Sequence, residues 1–205
     1  MTRWLWRILI WSWLLWRVSR LPLRLVPVHP DLAGGLGPVG AAQSHFTTLS
    51  FALSVPGAAV FVEQMWFTAA PLNQFLPSMA GVVVLNWLLF LGPLLLFGPR
   101  LYAIKRIGRR EYGLLGTVYT SRFHAKWIQR EAPADASLLG SADIQSLADL
   151  ANAFSVVRHM RGVPFGLAEV LSFAVAAGAP ALPLVLIAYP IEDLLAQAVK
   201  LLLGM

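Results

Sequence analysis

A short glycine-rich stretch, residues 28–37 with His-Pro-Asp at its start, contains the residue types best suited to bind a ligand. The candidate ligand-binding residues, together with one nearby arginine, are Arg24, His29, Asp31, Gly34, Gly35 and Gly37. Glycine permits backbone geometries that bring amide groups close to a ligand, and arginine is suited to phosphate. One interpretation is therefore a pocket in which glycine amides and His29 face a ligand. The alternative is structural: a shaped turn in which Asp31 caps the segment that follows.

Two polar residues interrupt long apolar stretches and are candidates for a role inside a membrane. Glu63 is the one ionisable residue in a run of more than fifty, since 46–62 and 64–99 contain no Asp, Glu, Lys, Arg or His. An acid in a membrane span can mark an ion pathway. Glu63 falls near one end of its predicted helix, however, where water or headgroups can reach it. Asn86 lies deeper, and we expect it to bond to a neighbouring helix.

Other catalytic or metal-binding patterns are missing from the sequence. The four histidines form no i, i+3 or i, i+4 pair of the kind that binds metal on a helix. There is no cysteine, which excludes disulfides and thiolate metal sites. Nucleophile-elbow, P-loop and dinucleotide-binding glycine patterns are also absent. We therefore expect no metal and no other cofactor, and a non-enzymatic protein is favoured over an enzyme.

The elements that must position these residues are membrane helices. Of 205 residues, 58% are hydrophobic and 13% are charged, far from the values of soluble proteins. A helix needs about 20 apolar residues to cross the hydrocarbon layer, and only a helix satisfies its own backbone there. Residues 44–99 thus predict a helical hairpin, with spans within 41–70 and at 79–97, and prolines 71 and 77 bounding the turn.

A third span is predicted within residues 164–191, because 170–191 carry no charge, and Pro180 and Pro183 should kink it. Residues 192–205 then form an amphipathic tail at the outer interface. With these three spans the fold class is an all-α membrane protein, whose remaining helices are an N-terminal interfacial helix and two cytoplasmic amphipathic helices.

The flanking segments have the composition of surface helices. Residues 1–27 combine Trp and Arg, which is typical of the membrane–water boundary, so they predict an interfacial helix or the end of a truncated span. Residues 28–43 predict the glycine-rich turn. Residues 100–163 predict a basic stalk loosened by glycines 113 and 116, then amphipathic helices over 113–130 and 141–160, with Ser141 capping the second.

Positive charge gives the expected orientation. Five Lys and Arg lie in residues 1–24, ten in 100–161, and one at position 200. A twice-crossing hairpin puts the first two groups on one side, which the positive-inside rule makes cytoplasmic. We therefore expect a multi-pass protein of the cell inner membrane with a cytoplasmic N-terminus and an external C-terminus. Cations beside spans are usually topology signals and lipid contacts, so nucleic acid is not an expected partner.

Four stretches carry a resemblance to other proteins: VHPDLAGGLG at 28–37, LLGSADIQSLADL at 138–150, SRLPLRLV at 19–26 and VPFG at 163–166. With them, essentially the whole chain resembles a group of uncharacterised bacterial multi-pass membrane proteins. Members of that group usually have further hydrophobic sequence upstream of the position matching Arg3, which implies that this chain is a short version. The resemblance implies a membrane location and no catalytic residue.

Three functions are consistent with these features. The first is a non-enzymatic subunit of an oligomeric channel, transporter or membrane scaffold. The second is a membrane enzyme that uses the turn of His29 and Asp31 on a lipid-linked or phosphate-bearing substrate at the cytoplasmic face. The third is a regulatory or assembly factor whose cytoplasmic helices bind a soluble partner. The expected partners are membrane lipids and either further copies of the chain or other subunits of a membrane complex.

Overall fold

The computed structural model describes residues 2–68, 71–129 and 140–188, and within them the chain is helical with no strand, as predicted. The helices are α1 (Thr2–Arg20), α2 (Gly37–Ser44), α3 (Thr47–Thr68), α4 (Leu76–Phe90), α5 (Gly98–Phe123), α6 (Ala142–His159), α7 (Leu167–Gly178) and α8 (Leu182–Ala188). Tighter 3₁₀ turns occupy Leu72–Gln74, Gly92–Phe97 and Ala179–Ala181, and a wider π-helical turn, His124–Ile128, follows α5.

Three helical segments are long and apolar enough to cross a membrane: Thr47–Thr68, Leu72–Phe90 and Leu167–Val185. They correspond to the three predicted spans and support a transmembrane protein. The second lies earlier than predicted, at residues 72–90 and not 79–97, because α4 ends at Phe90 and the backbone then tightens into a 3₁₀ turn that contains Pro93. A proline cannot donate the backbone bond that would continue the α-helix.

Prolines shape the spans as expected. Pro71 immediately precedes the first 3₁₀ turn, and Pro77 lies in the first turn of α4. In the third span, a 3₁₀ turn containing Pro180 separates α7 from α8. The last residues of this predicted span, and the predicted tail at 192–205, lie outside the described residues.

The chain divides into two compact units. The first comprises Met1–Ala41 and Leu94–Gly166, and the second comprises Ala42–Pro93 and Leu167–Met205. In the first unit α5 packs along α6, and the irregular segment after α1 packs on α5. A Cβ on Gly108 of α5 would lie 2.6 Å from Pro27 of that segment and 3.1 Å from Val157 of α6. In the second unit α7 packs against α3 and α4, and Phe90 stacks on Phe173 with ring centres 5.3 Å apart.

Two details of the first unit differ from the sequence expectation. Helix α5 runs unbroken through Gly113 and Gly116, where we expected it to loosen. At Gly113 an added Cβ would meet Phe154 of α6 at 3.9 Å, so packing against α6 supports the helix where intrinsic propensity is weak. Ser141 occupies the N-cap position of α6 as predicted, but its side chain makes no capping hydrogen bond.

In helix α1, three arginines lie over the rings of nearby tryptophans. Guanidinium groups lie over indole rings at 4.7 Å for Arg7 on Trp4 and 5.3 Å for Arg17 on Trp13. Such cation–π contacts stabilise a side chain that is partly apolar and partly charged. They suit a membrane–water interface, although the interfacial position of α1 stays a prediction.

Candidate functional site

The candidate turn is built around the carboxylate of Asp31, which accepts hydrogen bonds from three backbone amides. Its oxygens lie 2.8 Å from the amide nitrogen of Ala33, 3.0 Å from that of Gly35 and 2.8 Å from that of Gly37. The Nδ1 atom of His29 lies 2.8 Å from Oδ1 of the same carboxylate. The structure therefore brings four of the predicted site residues together, and the glycine amides donate to Asp31.

The glycines make this geometry possible. Gly34 and Gly35 have φ values of 65° and 97°, in the left-handed region that side chains other than hydrogen disfavour. A Cβ on Gly37 would lie 2.9 Å from the Asp31 side chain. Successive amides in such a turn form an anion-binding concavity, or nest. In this protein the bound anion is the chain's own carboxylate.

The environment of Asp31 keeps it ionised. Burial alone would raise its pKa, but hydrogen bonds from the amides of Ala33, Gly37 and Gly35, and from His29, together lower the pKa to about 2. At neutral pH the turn thus holds a carboxylate whose hydrogen-bonding capacity is largely used by its own backbone. This geometry favours the structural interpretation of the turn over a ligand pocket.

Arg161, which sequence reasoning did not assign to the site, fastens the turn to the end of α6. Its Nη2 donates to the carbonyl oxygen of Asp31 at 2.7 Å, and its backbone N–H donates to that of Leu32 at 2.6 Å. Lys105 of α5 donates to the carbonyl oxygen of Met160 beside it. Arg161 and Asp31 are 130 residues apart in sequence, so no local pattern joins them. The one sequence signal for Arg161 was its place among the cations at the end of a predicted helix.

Arg24, the remaining candidate of this group, lines a groove that it shares with Arg100 of α5. Arg100 is anchored there, since its Nη1 donates to the carbonyl oxygen of Leu21. Arg24 therefore shares a groove with Arg100, whereas we expected it to contribute to a pocket with His29 and Asp31. Arg100 was counted in the sequence as part of the basic stalk and was not singled out.

The two intramembrane candidates have different surroundings in the second unit. Asn86 is buried and bonds to α3: its Oδ1 accepts from Ser50 Oγ at 2.8 Å, and its Nδ2 donates to Ser54 Oγ at 3.2 Å. Nδ2 also donates to the carbonyl oxygen of Val82 at 2.9 Å. The expected bond to a neighbouring helix is thus present. Glu63 is exposed on α3, five residues before that helix ends at Thr68.

An apolar crevice of about 220 Å³ lies between α3, α4 and α7, beside the Asn86 cluster. Ser54 contributes the polar edge, and the rest of the wall is formed by aliphatic side chains, glycine and Phe61. In the described ranges no three His, Asp or Glu side chains are grouped so that they could hold a metal ion. The crevice can accommodate an apolar group and offers little to a charged one.

The fold and these sites define an all-helical protein with three candidate membrane spans. Comparisons with protein-family models, with curated proteins and with solved structures find no match. The resemblance to bacterial multi-pass proteins therefore stays a prediction, and function has to be argued from the geometry.

Proposed function

We propose that the protein is a non-enzymatic subunit of an oligomeric membrane assembly, a channel, transporter or scaffold. The observation that carries the proposal is that two of the candidate polar groups, Asp31 and Asn86, are bonded within the chain. Asp31 is saturated by backbone amides, and Asn86 is bonded to two serines. A catalytic carboxylate needs access to a substrate, so the alternative of a lipid-modifying enzyme has less support.

The surface of the spans leaves room for an assembly. In the most apolar 18 residues of each candidate span, 28%, 11% and 22% are buried within the chain, so wide apolar faces are open to lipid or to another copy. Between α3, α4 and α7 the described residues enclose an apolar crevice and not a polar passage. A pathway for a polar species would therefore form between copies, and Glu63 lies exposed on α3 where a neighbouring copy can share it.

The test is the copy number of the full chain in lipid nanodiscs, measured by native mass spectrometry. We expect one complex with several copies, and a monomer under these conditions would overturn the proposal. Ion flux into liposomes then separates the subclasses: Glu63→Gln should alter flux in a channel or transporter, whereas Glu169→Gln, at the start of α7, is the matched control. A stable oligomer without flux assigns the scaffold.

A second candidate function, binding of a soluble partner by the first unit, is favoured by apolar side chains on α5. Leu114, Leu115 and Val118 are 60%, 52% and 50% exposed on a helix outside the candidate spans. Exposed apolar stripes on surface helices commonly mark interaction sites. A photo-crosslinker at position 118 should capture one defined protein in cells, and Leu114→Gln should abolish that product while Thr117→Gln leaves it.

A further inference from the structure

The groove that contains Arg24 and Arg100 joins two cations to an apolar floor. It lies between residues 22–25 and the first half of α5, and its volume is about 480 Å³. Its lining residues are Pro22, Leu23, Arg24, Leu25, Arg100, Ala103, Ile104 and Ile107. None of these eight residues is acidic, and six are apolar, so the groove presents positive charge beside a hydrocarbon surface.

The spacing of residues along α5 explains why a cation lies beside apolar side chains in this groove. Arg100, Ile104 and Ile107 are spaced i, i+4 and i+7, so they lie along one face of the helix. The bond from Arg100 Nη1 to Leu21 holds the guanidinium at the groove. A guanidinium has five N–H donors, and this bond leaves others to bind phosphate oxygens. Arg24 is exposed at the same groove and adds a second cation.

The groove is also close in sequence to a membrane span. Arg100 follows the end of the candidate span Leu72–Phe90 by ten residues. Basic side chains that closely follow a span lie at the level of lipid headgroups, where anionic lipids attract them. A free inorganic anion would use the arginines alone, whereas a phospholipid would use both the arginines and the apolar floor.

We propose that this groove binds an anionic diacyl phospholipid of the surrounding membrane. Arg24 and Arg100 hold its phosphate, and one acyl chain lies along Ile104 and Ile107. A zwitterionic lipid binds less well, because its headgroup cation meets the two arginines. The lipid site is independent of the number of copies in the assembly.

Native mass spectrometry of the full chain tests the site, with phosphatidylglycerol and phosphatidylcholine as probes in equal amounts. We expect the anionic lipid to be retained, and Arg24→Gln to weaken its binding about tenfold, the effect of losing one charge-assisted contact. The double variant, Arg24→Gln with Arg100→Gln, should abolish binding of the anionic lipid. The matched control, Arg109→Gln with Arg110→Gln, takes the same charge from exposed positions of α5 and should have little effect.

The site would be overturned by equal retention of the two lipids, by an equal loss in the control variant, or by displacement of phosphatidylglycerol by millimolar inorganic phosphate. Because Arg100 also bonds to Leu21, the double variant could lose its fold, which circular dichroism would show; Arg24→Gln, at an exposed position, then decides. Ala103→Trp fills the floor without changing charge, and unchanged lipid binding in this variant would also refute the proposal.

Discussion

The two units of the chain satisfy their polar groups in different ways. The first contains fifteen of the sixteen Lys and Arg and six of the ten acidic residues, a net charge of +9, whereas the second has one basic and four acidic residues, a net charge of −3. The first unit holds the ionised carboxylate of Asp31 with backbone amides, and Arg161 donates to the backbone carbonyl oxygen of the same residue. The second uses neutral amide and hydroxyl groups, such as Asn86 with Ser50.

The difference agrees with the solvent we expect for each unit, lipid around the candidate spans and water around the cationic unit. Charges are costly inside a bilayer, where neutral hydrogen bonds between helices are the usual polar contacts. The unit with the candidate spans accordingly buries serine, asparagine and glutamine. The acids within those spans, the exposed Glu63 and the half-buried Glu169, each lie within a few residues of a span end. The cationic unit holds the carboxylate of Asp31 outside those spans. There the three amide donors stabilise the ionised form of a partly buried side chain.

The largest effect should come from Asp31→Ala in the first unit. Its loss leaves three backbone donors without an acceptor, which should cost about 3 kcal/mol of unfolding free energy. Hydrogen exchange at residues 32–37 should accelerate, while α3 and α4 keep their protection. Asp149→Ala, at an exposed position of α6, is the control. Acceleration spread equally over both units would mean that Asp31 does not act locally.

Acid should destabilise the same turn, but by less than the substitution Asp31→Ala does. The folded pKa of Asp31 is about 2, below its ordinary value of 3.8. The stabilisation is therefore complete above the unfolded pKa and is lost as the pH falls through about 4 toward 2. Exchange at residues 32–37, taken relative to its intrinsic rate at each pH, should rise over that interval in the wild type. Asp31→Asn, which cannot titrate, should show no such rise; a similar rise in this variant would assign the effect to another group.

In the second unit, Asn86→Ala should cost about 1 kcal/mol, the usual size of a hydrogen bond between membrane helices. Ser54 keeps a local acceptor, because its Oγ also donates to the carbonyl oxygen of Ser50, whereas Ser50 Oγ loses the acceptor on Asn86. Unfolding in mixed micelles measures the loss, and Val84→Ala, an exposed position on α4, is the control. A cost equal to that of Asp31→Ala would remove the proposed contrast between the units.

Sequence reasoning predicted what is local. Spans follow from hydropathy, and their interruptions follow from prolines such as Pro77 and Pro180, because each effect acts within a few residues. The interpretation in which Asp31 caps the segment that follows was of the same kind. Arg161 could not be found in this way, because it meets the turn across 130 residues of chain. Helix α5 persists through Gly113 for the same reason: packing against α6 outweighs local propensity.

The smallest effect should come from the ion pair at the end of α5. Lys126 Nζ lies 2.7 Å from Asp143 Oδ2, and hydrogen bonds from Lys126 and Trp127 lower the pKa of Asp143. Because this pair is in contact with water, salt screens it and it contributes little to stability. Lys126→Met should shift the unfolding midpoint less than Asn86→Ala does, and 0.5 M salt should abolish the shift. If the shift for Lys126→Met exceeded that for Asn86→Ala, an exposed ion pair would stabilise the protein more than a buried hydrogen bond does, and the proposed ranking would be wrong.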